Sequence, residues 1–188
     1  NIALVNELKV TYGALGIDIW EIIEAAKSKP FGFMPFYPGP GLGGHCIPID
    51  PFYLTWKARE HDLSTRFIEL AGEINVSMPN YVVQKLVEAL DRRVGVRLGG
   101  SHIVVIGMAY KKNVDDIRES PSFKLISLLE KRGATVDYHD PLVPEIGCTR
   151  EHPEYAGRRS IPLRPESLVS CHAVLLVIQA EHFTGAKK

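Results

Sequence analysis

A cysteine just ahead of a predicted helix is the first feature that could do chemistry. Cys46 lies in the run Gly39–Tyr53 (GPGLGGHCIPIDPFY), and Asp50 follows it by four residues at the expected helix start. The free amides of a helix N-terminus stabilise a thiolate, and glycines such as Gly43 let the backbone approach a ligand closely. Asp50 can cap the helix, hold a water molecule or balance charge beside the thiol. These patterns leave two readings of Cys46 open, a reactive nucleophile and a buried structural thiol.

The histidines near Cys46 suggest two further sites, and the sequence supports neither. His45 and Cys46 would suit a nucleophile–base pair, but adjacent side chains rarely point the same way, so we expect no working contact between them. A zinc site built from His45, Cys46 and His61 lacks the usual ligand spacing, and no metal site is predicted. The three cysteines contain no C-x-x-C pair, which favours a reducing compartment and therefore a cytoplasmic location.

A charged run is the second feature of interest. The segment Gly107–Ser122 (GMAYKKNVDDIRESPS) follows a predicted strand and precedes a predicted helix, which is where α/β folds place their ligands. It is either a solvated loop or an anion site, with Lys111 as a point charge and Arg118 as a bidentate fork for phosphate or carboxylate. It lacks the G-x-G-x-x-G fingerprint of dinucleotide-binding folds.

Helices must position the cysteine. A helical pattern begins at Ile2 and stops at Gly13–Gly16, Asp18 can cap a second helix, and a third runs from Asp50 to about Arg59. Nine of the fifteen residues 30–44 are glycine or proline, which excludes regular structure there. A longer pattern spans 68–90, and Pro79 should kink it or break it in two.

Strands must position the charged run. His102–Gly107 (HIVVIG) has the composition of a strand buried on both faces, and strands are also predicted at Thr135–His139 and Ala173–Ile178. With a helix predicted over Pro121–Arg132, the order is strand, helix, strand, which implies a right-handed crossover and a parallel sheet. Three strands are few for a Rossmann-like unit, and we expect both ends of the chain to be cut.

Composition narrows the class of partner. The 188 residues carry 22 basic and 22 acidic side chains, so there is no electrostatic footprint for nucleic acid or an anionic membrane. No segment reaches the roughly 20 apolar residues of a membrane span. We therefore expect a globular protein without nucleic-acid or membrane partners.

Taken together, Asn6-Glu7, PGLGGHCIPIDP, GMAYKKNVDDIRESP and YHDP resemble the UDP-glucose/GDP-mannose dehydrogenase family over almost the whole chain. The wording GGHCIPIDP is similar to the branch that acts on UDP-N-acetylhexosamines. The resemblance implies an α/β protein in which an all-helical central dimerisation domain with the cysteine loop (residues 1–97) precedes a truncated Rossmann-like parallel-sheet domain that binds the UDP-sugar (residues 98–188). We expect the family's N-terminal NAD-binding domain to be missing from this chain.

The same resemblance implies an NAD-dependent UDP-sugar 6-dehydrogenase. It would oxidise the C6 alcohol of a UDP-hexose or UDP-N-acetylhexosamine to the uronic acid, using two NAD and water. Cys46 would attack the intermediate aldehyde, giving a thiohemiacetal and then a thioester, and Asp50 would position or activate water. Arg118 would reach the NAD, which the missing domain mainly binds. The implied substrate-binding residues are Pro35, Phe36, Tyr37, Pro38, Gly39, Gly43 and Lys111.

The resemblance further implies a homodimer through the long helix and a role in polysaccharide biosynthesis. The family's assisting lysine and asparagine would lie before Asn1, and Ile49 stands where the UDP-glucose branch has a lysine. We therefore expect the chain by itself to show no dehydrogenase activity. The alternative function is a non-catalytic, dimerising UDP-sugar-binding module.

Overall fold

The computed structural model describes residues 1–178, and it has a helical first half followed by a small parallel sheet. Residues 179–188, the end of the expected second domain, lie outside the described residues. The helices of the first half are α1 (Ile2–Ala14), α2 (Ile19–Lys27), α3 (Asp50–Arg59) and α4 (Arg66–Val94). The predicted order of elements, and the irregular stretch between α2 and α3, are confirmed.

Local sequence signals account for several helix ends. Asp18 caps α2, and its carboxylate accepts a hydrogen bond of 2.9 Å from the Trp20 amide. Gly95 ends α4 in the left-handed conformation (φ 68°), and its amide donates to the carbonyl of Asp91.

Helix α4 is one helix of 29 residues that contains Pro79. The alternative that Pro79 breaks it in two is therefore wrong. Proline removes a single intrahelical hydrogen bond, while the helix on either side stays packed through the buried Met78 and Val83.

The sheet consists of β1 (His102–Ile106), β2 (Thr135–His139) and β3 (Ala173–Leu176), all parallel and in the order β2-β1-β3. Helix α5 (Pro121–Glu130) connects β1 to β2. The predicted βαβ unit is confirmed, and β1 lies in the centre with Ile103, Val104 and Val105 fully buried. Because the strands are parallel, the segments after β1 and β2 meet at one edge of the sheet.

The edge strand β3 is shorter than predicted and less buried. It ends at Leu176, and Val174 and Leu176 expose about half of their surface. A 3-10 turn (Pro153–Tyr155) and the short helix α6 (Pro165–Leu168) lie between β2 and β3.

One hydrophobic core joins the helical half to the sheet. Val83 and Leu90 of α4 are buried in the same cluster as Phe123 and Leu129 of α5 and Val136 of β2. Helix α4 therefore sets the position of the cysteine segment relative to the charged run, since it packs against α1, α3 and α5.

Candidate functional site

Cys46 lies in a turn immediately before α3 and is exposed. Its carbonyl accepts hydrogen bonds from the amides of Ile49 (3.2 Å) and Asp50 (2.8 Å), so the thiol sits one turn ahead of the helix. Asp50 is the first helical residue, and the N-cap position belongs to Ile49, which makes no side-chain cap bond. The alternative that Asp50 caps the helix is wrong, because Asp50 is itself the first helical residue and Ile49 occupies the N-cap position. The Asp50 side chain is exposed to solvent.

His45 contacts Cys46, with 3.4 Å between Nδ1 and Sγ. The expectation that these neighbours would diverge is wrong. That rule describes a regular strand, whereas here the chain bends at Gly44, whose φ is +79°. In the tautomer protonated at Nε2, Nδ1 can accept the thiol proton.

The cysteine segment is held against the charged run. The Gly44 amide donates to the carbonyl of Arg118 (3.1 Å). At Gly43 a Cβ would lie 2.5 Å from the Cβ of Tyr110, so only glycine permits this approach. Lys111 lies next along the chain, with its Nζ 5.3 Å from the Tyr110 ring centroid. Four of the predicted site residues, Gly43, Cys46, Lys111 and Arg118, thus belong to two segments in direct contact.

Arg118 is bound by a carboxylate of its own loop. Its Nε lies 2.9 Å from Asp116 Oδ1 and its Nη2 lies 2.6 Å from Asp116 Oδ2. This hydrogen-bonded pair lowers the pKa of Asp116 to about 2, and the carboxylate in turn raises the pKa of Arg118. The pair also interacts electrostatically with His45 and Cys46. The Nε and Nη2 donors of the predicted anion fork are therefore occupied by Asp116, next to the segment that carries Cys46.

Asp140, at the end of β2, holds the start of the charged run. Its buried carboxylate accepts from the amides of Met108 (2.7 Å) and Ala109 (3.3 Å) through Oδ2 and from Leu142 (2.9 Å) through Oδ1. Sequence reasoning assigned no role to this aspartate. The sequence signal that could have identified it is its place in YHDP, directly after a strand whose carboxyl end lies beside that of β1.

The turn after β1 is therefore unsuited to the pyrophosphate of a dinucleotide. In dinucleotide-binding folds, amides at this position point to the phosphates. Here the amides of Met108 and Ala109 are bonded to an anionic side chain of the protein itself. This geometry agrees with the absence of the glycine fingerprint in the sequence.

Helices α1 and α2 hold the segment Pro35–Gly39. The Tyr37 ring stacks on Trp20 (5.8 Å between centroids), and its hydroxyl donates to the Glu24 carboxylate (3.1 Å). The Gly39 amide donates to Oδ1 of Asn6 (2.9 Å). Pro35, Phe36 and Pro38 are half-buried in the same segment.

Two concavities flank these segments. One, of about 170 Å³, is lined by Pro38–Pro40 together with Trp20, Tyr81 and Leu176. The other, of about 550 Å³, is an open apolar hollow beside the cysteine turn, lined by Pro48, Ile49, Phe52, Tyr53 and Trp56. Neither of these two concavities is lined by Cys46 or Lys111.

Within residues 1–178, no group of three or more histidine, cysteine or acidic side chains is placed to hold a metal ion. In the same residues no helix has the length and apolar character needed to cross a membrane.

The chain is 38% identical over 152 residues to a UDP-N-acetyl-D-glucosamine 6-dehydrogenase from Salmonella typhi, covering 81% of this chain and 35% of that protein. It is 36% identical over 182 residues to a UDP-N-acetyl-D-mannosamine dehydrogenase from Methanocaldococcus jannaschii, covering 97% and 37% respectively. The chain thus spans little more than a third of the length of these relatives.

The structure is similar to that of the UDP-D-ManNAc dehydrogenase from Pyrococcus horikoshii, with a TM-score of 0.82 and 28% identity over 99% of this chain and 40% of that one. Residues 1–77 match the central domain of the UDP-glucose/GDP-mannose dehydrogenase family, and residues 104–188 match its UDP binding domain. Sequence, fold and both domain matches agree, and the chain belongs to the UDP-glucose/GDP-mannose dehydrogenase family.

Proposed function

We propose that this chain supplies the nucleophile and the UDP-sugar-binding part of an NAD-dependent UDP-sugar 6-dehydrogenase. The observation that carries the proposal is the docking of the cysteine turn on the charged run, through the Gly44–Arg118 hydrogen bond and the Gly43–Tyr110 contact. This contact packs the segment of the exposed Cys46 thiol against the charged run that carries Lys111 and Arg118 and follows β1. The dehydrogenase names of the relatives support the reaction class.

In this proposal Cys46 acts on the aldehyde formed from the C6 alcohol. Its Sγ bonds to the carbonyl carbon, the carbonyl π pair moves to the oxygen, and Nδ1 of His45 takes the thiol proton. The adduct would become a thioester by loss of a hydride, for which NAD would be the acceptor, and water would then release the acid and the free Cys46 thiol. The exposed Asp50, whose amide is bonded to the Cys46 carbonyl, is the residue proposed to orient that water.

The UDP-sugar is proposed to lie between Pro35–Gly39 and the charged run. Lys111 is exposed and offers an ammonium group to a diphosphate, and the family match names residues 104–188 a UDP binding domain. The half-buried Pro35, Phe36, Pro38 and Gly39 offer backbone and ring surfaces, while Tyr37 is tied back to Trp20 and Glu24. We place the boundary between the helical and sheet domains near residue 97.

NAD is proposed as the hydride acceptor of this enzyme. The described residues provide few groups that suit the binding of this cofactor. The amides after β1 are bonded to Asp140, so they do not fit a dinucleotide phosphate. Arg118 is the residue of this chain proposed to reach the cofactor, since its side chain is 62% exposed while it pairs with Asp116.

Calorimetric titration tests the binding half of the proposal. We expect the chain to bind UDP and not NAD. Replacing Lys111 with methionine should weaken UDP binding about tenfold or more, because a charge-assisted hydrogen bond is worth about 1.5–3 kcal/mol. The neighbouring exposed Lys112→Met is the matched control and should leave the affinity near that of the wild type. Binding of NAD without UDP would overturn the domain assignment.

Alkylation separates the enzyme from a non-catalytic binding module. Cys46 and Cys148 are both exposed, so their difference in rate reports chemistry and not access. Among the contacts described for these two cysteines, only the Cys46 thiol contacts an imidazole. We therefore expect iodoacetamide to label Cys46 several-fold faster than Cys148 near pH 7. The variant His45→Gln should remove most of this difference in rate. Equal labelling by mass spectrometry in the wild type would favour the binding module.

Finer features of the function stay predictions. A UDP-N-acetylhexosamine substrate is supported by the names of the relatives. A homodimer through α4 is supported by Phe67 and Leu70, which are 90% and 51% exposed and lie one turn apart, leaving apolar surface for a second copy. The cytoplasmic location and the role in polysaccharide biosynthesis rest on the resemblance alone.

A further inference from the structure

Two buried asparagines connect the proposed substrate segment to the long helix. Asn6 of α1 is fully buried, and Asn75 of α4 is 8% exposed. Asn6 Nδ2 donates to Asn75 Oδ1 at 2.8 Å, while Asn6 Oδ1 accepts from the Gly39 amide at 2.9 Å. The three groups come from positions 6, 39 and 75, so the contact exists only in the folded chain. The catalytic steps proposed above use neither asparagine.

The orientation of the Asn6 amide is determined by these two bonds. An amide has one accepting and one donating end, and turning it over would set two donors against each other at Gly39 and two acceptors against each other at Asn75. In a fully buried site such mismatched groups cannot turn to water instead. Asn6 therefore holds the backbone of Gly39 at one place relative to α4.

The segment that contains Gly39 also contacts the next turn of α4, at Pro79. Pro79 has no N–H, so it cannot donate the intrahelical bond that the Asn75 carbonyl would otherwise accept. A Cβ built on Gly41 would lie 3.7 Å from Pro79 Cγ and 3.9 Å from the Asn75 carbonyl oxygen. The segment thus passes over α4 at the place where the helix lacks one hydrogen bond, anchored on one side by Asn6.

We propose that Asn6 and Asn75 form a positioning relay that keeps the Gly39–Gly41 backbone ordered before any ligand binds. The inference deepens the proposed function, because a pre-ordered segment spares the nucleotide-sugar the entropy of ordering it. Asn6 and Asn75 touch no reacting atom in this scheme. They act through Gly39, whose segment lies beside the proposed ligand.

Amide exchange at Gly39, followed by NMR on the 188-residue chain without ligand, tests the relay. Asn6→Leu and Asn75→Leu should each speed exchange at Gly39 at least tenfold, under conditions in which circular dichroism shows the chain folded. Asn6→Asp keeps the acceptor for Gly39, and the Asn75 amide can turn to donate to it, so protection should largely return. Asn80→Leu, an exposed change one residue beyond Pro79, is the matched control and should change nothing at Gly39.

UDP affinity in the same variants provides the functional readout. We expect both leucine variants to bind UDP about tenfold more weakly than the wild type and than Asn80→Leu. Unchanged exchange at Gly39 in the folded leucine variants would overturn the relay, as would lost protection with unchanged UDP affinity. Should the wild-type chain bind no UDP, the proposed function fails, and the exchange comparison alone then decides whether the relay orders the segment.

Discussion

Replacing Asp140 with alanine is expected to lower the free energy of unfolding by about 3 kcal/mol or more, since each buried donor left unpaired costs about 1–3 kcal/mol. Asp140 is 5% exposed, and its two oxygens accept from the amides of Met108, Ala109 and Leu142. Alanine would remove both accepting oxygens, deprive all three amides of their partner and leave a small cavity. Urea unfolding followed by circular dichroism measures the loss.

Two variants make the Asp140 result interpretable. Asp140→Asn keeps one accepting oxygen, so it should lose less stability than alanine, and it serves if the alanine variant does not fold. Asp115→Ala removes an exposed aspartate from the charged run whose start Asp140 holds. This variant should change the free energy of unfolding by no more than about 0.5 kcal/mol. An alanine variant as stable as Asp115→Ala would show that the carboxylate does not hold the turn after β1.

Replacing Gly43 with alanine is expected to weaken UDP binding at least tenfold. The new Cβ would lie 2.5 Å from the Tyr110 Cβ and 3.1 Å from the Glu119 carbonyl oxygen. The positions of both neighbouring atoms are fixed by the backbone. Neither neighbour can move aside as a flexible side-chain end could, so the cysteine segment must separate from the charged run. Overpacking of this kind costs about 1–3 kcal/mol. Calorimetry with UDP and the alkylation rate of Cys46 together report the displacement.

Gly39→Ala is the matched control for the Gly43 variant. A Cβ at Gly39 meets its nearest atom, the Gly41 carbonyl oxygen, at an ordinary 3.7 Å, and alanine keeps the amide that donates to Asn6. We therefore expect the Gly39 variant to keep wild-type stability and a wild-type alkylation rate at Cys46. If Cys46 is alkylated at the same rate in the two alanine variants, the close contact between Gly43 and Tyr110 does not position the thiol.

Much of the secondary structure follows from signals carried within short windows. The strand Thr135–His139 occurs at the predicted residues, and β1 is one residue shorter than predicted, because runs of apolar and β-branched residues report burial directly. Asp18 and the pair Asp50-Pro51 mark helix starts through the chemistry of their own neighbourhood. The family resemblance rests on motifs of the same local kind, and the domain matches confirm it.

The sequence by itself therefore determined the order of helices and strands, the family, and the two segments that carry the candidate site. Only the tertiary structure decided which groups meet: the Asn6–Asn75 pair, the amides held by Asp140, and the contact between Gly43 and Tyr110. These contacts join positions up to 69 residues apart, and periodicity within a window of a dozen residues carries no information about such pairs. Even the adjacent His45 and Cys46 meet because of a bend at Gly44, whose angle is set by packing against the charged run.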